Sequence, residues 1–170
     1  NEGLLSMKEY HYTPINTEST RTTFFDYINN INVSPIDYFA VGIEDQTQKK
    51  LISLISRLEW QVYFDKNQIT NNDPLIKAKK LSQRNILPFS EIDYIDSFGK
   101  EIMRQRILHS MKNGLLFIHK QQHLKYMIVL ATGFSKFNHY SFLSKYYIQL
   151  TRLKNDLTKI IERDIHFIKC

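Results

Sequence analysis

The side chains best suited to recognition chemistry lie between Trp60 and Pro74, in Trp-Gln-Val-Tyr-Phe-Asp-Lys-Asn-Gln-Ile-Thr-Asn-Asn-Asp-Pro. Trp60 is the single tryptophan of the 170-residue chain. An indole N–H can only donate a hydrogen bond, and an ionised Asp73 can only accept one. With Phe64 and other rings close by, such a pair suits a small amphiphile with an apolar body and a polar head. The same residues also read as a core tryptophan and a helix cap, because Asp just before Pro favours a helix start at Pro74. Other chemistry is thin. There is no phosphate-cradling glycine loop, no Gly-x-Ser-x-Gly elbow and no His-Glu-x-x-His. The six histidines are dispersed. His119 and His123 flank one turn, but no Cys or carboxylate stands near them to complete a metal site. Ser56 with a distant histidine is the only nucleophile–base pair on offer, and it is a poor one.

The elements that must position these residues follow from periodicity. A helix is expected from Thr17 or Ser19 to Asn30, with Phe24, Phe25, Ile28 and Ile31 on its buried stripe. Ile36–Ile43 and Leu51–Ile55 read as strands around a polar turn. A helix from Arg57 to about Gln68 carries Trp60, with Leu58, Val62 and Ile69 near one face. A second begins at Pro74. Arg84–Ser90 reads as a short edge strand or loop, since Pro88 is excluded from a central strand. Ser90 or Asp93 is placed to cap a long helix, Ile92–Lys112, striped by Ile95, Phe98, Ile102, Ile107 and Met111 and closed by Asn113-Gly114. Leu115–His119 and Leu124–Ala131 form a hairpin. A last helix runs from Phe137 to about Arg163. The order predicts an α/β/α sandwich with a central antiparallel sheet of about five strands and helices on both faces.

Composition sets the wider bounds. The length gives one domain, with residues 1–17 as an irregular leader and 18–170 as the folded unit. Within the leader, Asn1–Ser6 stand ahead of a start-like Met7. Aromatics make up 13% of the chain, so large rings must fill the core or line a cavity. The formal charge of +6 is spread out rather than gathered into an arm, so most lysines read as solvated helix faces. A single cysteine, Cys170, rules out a disulfide framework and fits a reducing cytoplasm. No stretch approaches a membrane span. The last helix carries Tyr146, Tyr147, Ile148, Leu150, Leu153, Leu157 and Ile160, more apolar surface than one sheet face needs, which predicts a homodimer.

Trp60, Phe64 and Asp73-Pro74, with the helix ending Met111–Gly114, the strands Leu115–His119 and Tyr126–Ala131 and the final helix, resemble the acyl-homoserine-lactone-binding domain of LuxR-type quorum-sensing regulators. The resemblance covers about Phe24 to Ile165. It implies a ligand-sensing, dimerising domain that controls DNA binding, with no cofactor beyond the small-molecule ligand. Trp60 would donate to the lactone carbonyl and Asp73 would accept from the acyl-chain amide. Ser56, Phe64, Leu75, Phe89 and Val129 would wall the pocket. Phe64 stands where the family has a Tyr, and Phe89 is the nearest match to its aromatic wall. Two positions depart. Ser56 replaces a Tyr that bonds the amide carbonyl, and Val129 replaces a Ser or Thr. On this alignment Ser56→Tyr should strengthen ligand binding, and Asp73→Ala should abolish it while leaving the fold largely intact. The family's DNA-reading helix-turn-helix has no counterpart in this sequence. The alternatives are a ligand-independent relative acting through protein contacts, or a small acyl-chemistry enzyme.

Overall fold

The computed structural model describes residues 11–14, 18–67 and 69–164; Asn1–Ser6, Met7, Thr17, Gln68 and Cys170, singled out in the sequence, lie outside them. Six strands form one sheet: β1 (His11–Pro14), β2 (Tyr38–Asp45), β3 (Lys50–Ile55), β4 (Ile86–Pro88), β5 (Asn113–Gln121) and β6 (Leu124–Thr132). Their spatial order is β1-β3-β2-β6-β5-β4. β2 to β6 pair antiparallel with one another, as expected. The sixth, β1, pairs parallel with β3, His11 opposite Lys50, in a stretch that read as irregular leader. Pro88 is at the edge, where its missing N–H does no harm.

Among the described residues, six α-helices cover the sheet: α1 (Glu18–Asn29), α2 (Leu58–Asn67), α3 (Pro74–Leu81), α4 (Ser97–Leu108), α5 (His139–Lys145) and α6 (Tyr147–Glu162). The sheet's two-residue side-chain period sorts the strand residues into two cores. On one face Val41, Ile43, Ile52, Leu54, Leu115, Ile128 and Leu130 meet α1, α5 and α6. On the other, Ala40, Leu51, Ile55, Leu116, Val129 and Ala131 meet α2, α3 and α4. The architecture is the expected α/β/α sandwich. No helix among the described residues is long and apolar enough to cross a membrane.

Three helices differ from their sequence reading. In α2 the buried residues are Trp60 and Phe64, while Leu58 and Val62 are exposed. α4 starts five residues later than expected and is capped by Asp96, whose carboxylate accepts from Gly99 N–H at 2.7 Å. Ile95, Phe98 and Ile107 face solvent, and the buried stripe is Gly99, Ile102, Met103 and Arg106. The last helix breaks at Tyr146 into α5 and α6.

Gly114 does not cap α4. It lies in β5 opposite Ala131, and the left-handed residue after the helix is Ser110, φ 62°. A Cβ at Gly114 would collide with the Leu130 carbonyl oxygen and stand 2.9 Å from the Phe89 ring. Glycine is there for close approach. Gly42, in β2, has only ordinary contacts around a built Cβ. Gly114→Ala is therefore expected to destabilise by about 1–3 kcal/mol. Gly42→Ala should be neutral or stabilise by about 0.4–1 kcal/mol through the unfolded chain. Urea unfolding of the two variants checks the contrast.

Candidate functional site

The site is assembled where α2, α3 and α4 meet the sheet. Asp73 is the N-cap of α3: its backbone is extended, and Oδ1 accepts from Leu75 N–H at 3.1 Å. Pro74 takes the first helical position, where a missing N–H is harmless. Trp60 projects from α2 onto the same end and is 1% exposed. α4 contributes Arg106, buried in its apolar stripe. Arg106 grips Asp73 with both terminal nitrogens, Nη1 to Oδ1 at 2.5 Å and Nη2 to Oδ2 at 2.6 Å. Its guanidinium carbon stands 4.9 Å from the Trp60 ring centroid. Burial alone would lower the Arg106 pKa, and the Asp73 carboxylate reverses this and holds it above the usual arginine range.

Further bonds fasten this layer to the sheet. Tyr63 stacks on Trp60 at 5.0 Å, and the His109 ring meets Trp60 at 5.5 Å with an edge-on tilt. Arg57, at the start of α2, donates to the His109 carbonyl at the end of α4 and pairs with Asp37 at 3.6 Å. Lys79 of α3 makes a fully buried ion pair with Glu44 of β2, and Lys125 of β6 donates to the Lys79 carbonyl. Burial pushes the Lys79 pKa down, and Glu44 offsets only part of that shift.

Under this layer a slot of about 40 Å³ remains. Tyr38, Ala40, Gly42, Leu51, Ser53 and Ile55 form its strand wall, with Met127 and Val129 beside them. Trp60, Phe64, Asp73, Ile76 and Arg106 close the helix side. The volume admits a few waters, against roughly 300 Å³ or more for a pocket holding a drug-sized ligand.

Of the seven residues named from sequence, Trp60, Phe64, Asp73 and Val129 converge on the slot. Ser56, Leu75 and Phe89 are not among its lining residues. The Ser56 hydroxyl accepts from Phe39 N–H at 2.9 Å, and its own N–H donates to Phe39 O, so it extends the β2–β3 ladder. Leu75 is fully buried in the core beneath the cap. Phe89 packs over Gly114.

The residues that sequence reasoning missed are Arg106, Tyr38 and Ser53. Arg106 carries a legible signal. It falls three residues after Met103 and four after Ile102, so it sits within a buried stripe and demands a carboxylate partner. Ser53 follows from period two, which puts residues 51, 53 and 55 on one face and 56 on the other.

The Asp73–Arg106 pair corrects the expected effect of Asp73→Ala. Removing one partner leaves a buried, uncompensated charge, so Asp73→Ala and Arg106→Met should each destabilise by about 3–5 kcal/mol. Asp73→Ala with Arg106→Met should recover much of that loss. A double-mutant cycle from urea unfolding measures the coupling.

No protein-family model matches the chain, and no curated protein matches it in sequence. Solved structures do match. The chain is similar to the N-acylhomoserine lactone-dependent LuxR family transcription factor CepR2 from Burkholderia cenocepacia. Identity is 13%, coverage 81% of this chain and 90% of that one, and the TM-score 0.56. Escherichia coli SdiA matches at 13% identity over 82% of this chain and 69% of that one, TM-score 0.52. SdiA in complex with octanoyl-rac-glycerol matches at 12% identity with the same coverage, TM-score 0.50. At these identities the likeness establishes architecture: the chain has the fold of LuxR-type autoinducer-binding domains.

Proposed function

We propose that the chain is the small-molecule-sensing regulatory domain of a LuxR-type transcription regulator, acting in the cytoplasm on DNA binding by a separate module. The observation that carries this reading is the convergence of Trp60, Phe64, Asp73 and Val129 on one apolar slot with a polar end. The fold supports it: CepR2 is N-acylhomoserine lactone-dependent, and SdiA was solved with octanoyl-rac-glycerol. The ligand class is accordingly an acyl-homoserine lactone or a related amphiphile. The Ser56 hydroxyl, the best nucleophile the enzyme alternative had, lies outside the slot and accepts from Phe39 N–H. Dimerisation belongs to the same proposal. Tyr140, Tyr147 and Ile148 are exposed on α5 and the start of α6, while Leu150, Leu153, Leu157 and Ile160 are buried against the chain's own sheet.

The slot modifies the expected roles. Asp73 is not a free acceptor, since Arg106 occupies both its oxygens. A ligand head arriving there meets the donors of Trp60 and Arg106, and its carbonyls can accept from either. Arg106 thereby supplies N–H groups that Ser56 and Val129 do not. An acyl chain needs the α2–α4 layer to move off the sheet, so its apparent affinity is reduced by the fraction of open molecules.

The closed slot and the satisfied Asp73 favour a second reading, a ligand-independent domain acting through protein contacts. A melting scan over acyl lactones, fatty acids and acylglycerols separates the two. On the sensing reading, a ligand at a hundredfold excess over its dissociation constant stabilises by about 2.7 kcal/mol. For a chain of this length that raises the melting temperature by roughly 5–11 °C. Gly42→Ala, which narrows the slot, should reduce the shift. Ser56→Tyr should leave it unchanged, because Ser56 stands outside the slot. A folded wild-type chain that responds to no compound would establish the ligand-independent reading.

A further inference from the structure

A second concavity lies on the opposite face of the sheet from the slot. α6 packs over β2 and β6, leaving a groove of about 490 Å³ between α6 and the outer part of β5. Its floor is Phe117, Tyr126 and Ile128, and its walls carry His119, Lys154, Lys159 and Glu162. This volume falls in the range of about 300–1,000 Å³ typical of small-molecule sites.

The charges in the groove are unevenly matched. Two ammonium groups, Lys154 and Lys159, line the groove against one carboxylate, Glu162, which accepts from Tyr126 at 3.0 Å; Asp156, outside the groove, accepts from Tyr27 at 2.7 Å. Among the described residues, neither Lys154 nor Lys159 forms an ion pair. The Lys154 ammonium stands 5.0 Å over the Phe117 ring, half-buried. Burial lowers its pKa, and no carboxylate offsets the shift. A ring face compensates a desolvated ammonium only in part. A bound anion would complete the compensation, and the apolar floor beneath gives that anion an organic body.

We propose that this groove is a second ligand site, for a small amphiphile with an anionic head. The head would sit between Lys154 and Lys159 and the apolar body along Phe117 and Ile128. The site does not depend on the slot, and it requires no displacement of a buried ion pair.

Decanoate, kept monomeric, is the probe, followed by amide and side-chain NMR of the whole chain. Trp60 supplies an internal control, because the chain's single indole N–H reports on the slot alone. The expected result is saturable shifts at residues 119–121 and 154–162 with the Trp60 indole unmoved. Lys154→Gln should weaken binding about tenfold, the loss of one charge-assisted contact. Thr158→Phe, which fills the groove from α6, should abolish it. Acetate and decanol, carrying the head or the body alone, should bind at least tenfold more weakly. Shifts confined to Trp60 and its neighbours, or equal affinity in wild type and Lys154→Gln, would overturn the proposal. So would binding of anionic phosphatidylglycerol vesicles with no response to monomeric decanoate, since that would make the face a membrane contact.

Discussion

The helix layer over the slot depends on one buried contact, the two-pronged grip of Arg106 on Asp73. Taking either ion out of water costs several kcal/mol, and only close, multiply bonded geometry recovers that cost. The geometry here is close and shared. Asp73 also caps α3 through Leu75 N–H, and Arg106 lies against the Trp60 ring. One carboxylate thus fixes the start of α3, the azimuth of α4 and the packing of α2. The Lys79–Glu44 pair fastens the other end of α3 to β2. A short helix held by a buried ion pair near each end has little freedom to slide. Its available motion is to lift away as part of the layer.

That constraint separates the two faces of the sheet. On the α2–α4 face, room for an apolar chain comes only from moving elements tied together by buried charge. On the α6 face the groove is already open, because α6 follows β2 and β6 and leaves β5 uncovered beyond its pairing with β4. On the proposed sensing role, occupying the slot would couple to a collective displacement, the kind of two-state element through which a ligand can alter a remote surface. Occupying the groove needs no such displacement.

Much of this was legible in the residues. The sandwich, the antiparallel pairing, the edge position of Pro88 and the Asp73 cap follow from period, turn chemistry and proline rules that act locally. The errors have one cause in common. Ile95, Phe98, Ile107, Leu58 and Val62 are apolar yet exposed, while Gly99, Arg106 and Lys79 are buried. A reading that assigns faces by hydrophobicity alone inverts such helices. Gly114 misled for a related reason. Its glycine signature is the same whether it serves a left-handed cap or close approach, and only the position of Leu130 and Phe89 decides between them. β1 was invisible because four polar and aromatic residues carry no period, and its pairing partner is nearly forty residues away in the chain.

Arg106 also changes what an anchoring carboxylate means in this fold. A lone buried Asp would lack a partner whenever the pocket is empty, and a ligand amide would then contribute to folding as well as binding. With Arg106 present, the acceptor is satisfied in the ligand-free chain, and the cost of an empty polar end disappears. A ligand carbonyl at this end would accept from the guanidinium or the indole N–H, whereas a ligand amide N–H would have to share Asp73 Oδ2 with Arg106. A head group rich in carbonyl oxygen fits that arrangement better than one that relies on an amide N–H. On the proposed sensing role, discrimination between ligands would rest on Arg106 as much as on Trp60 and Asp73.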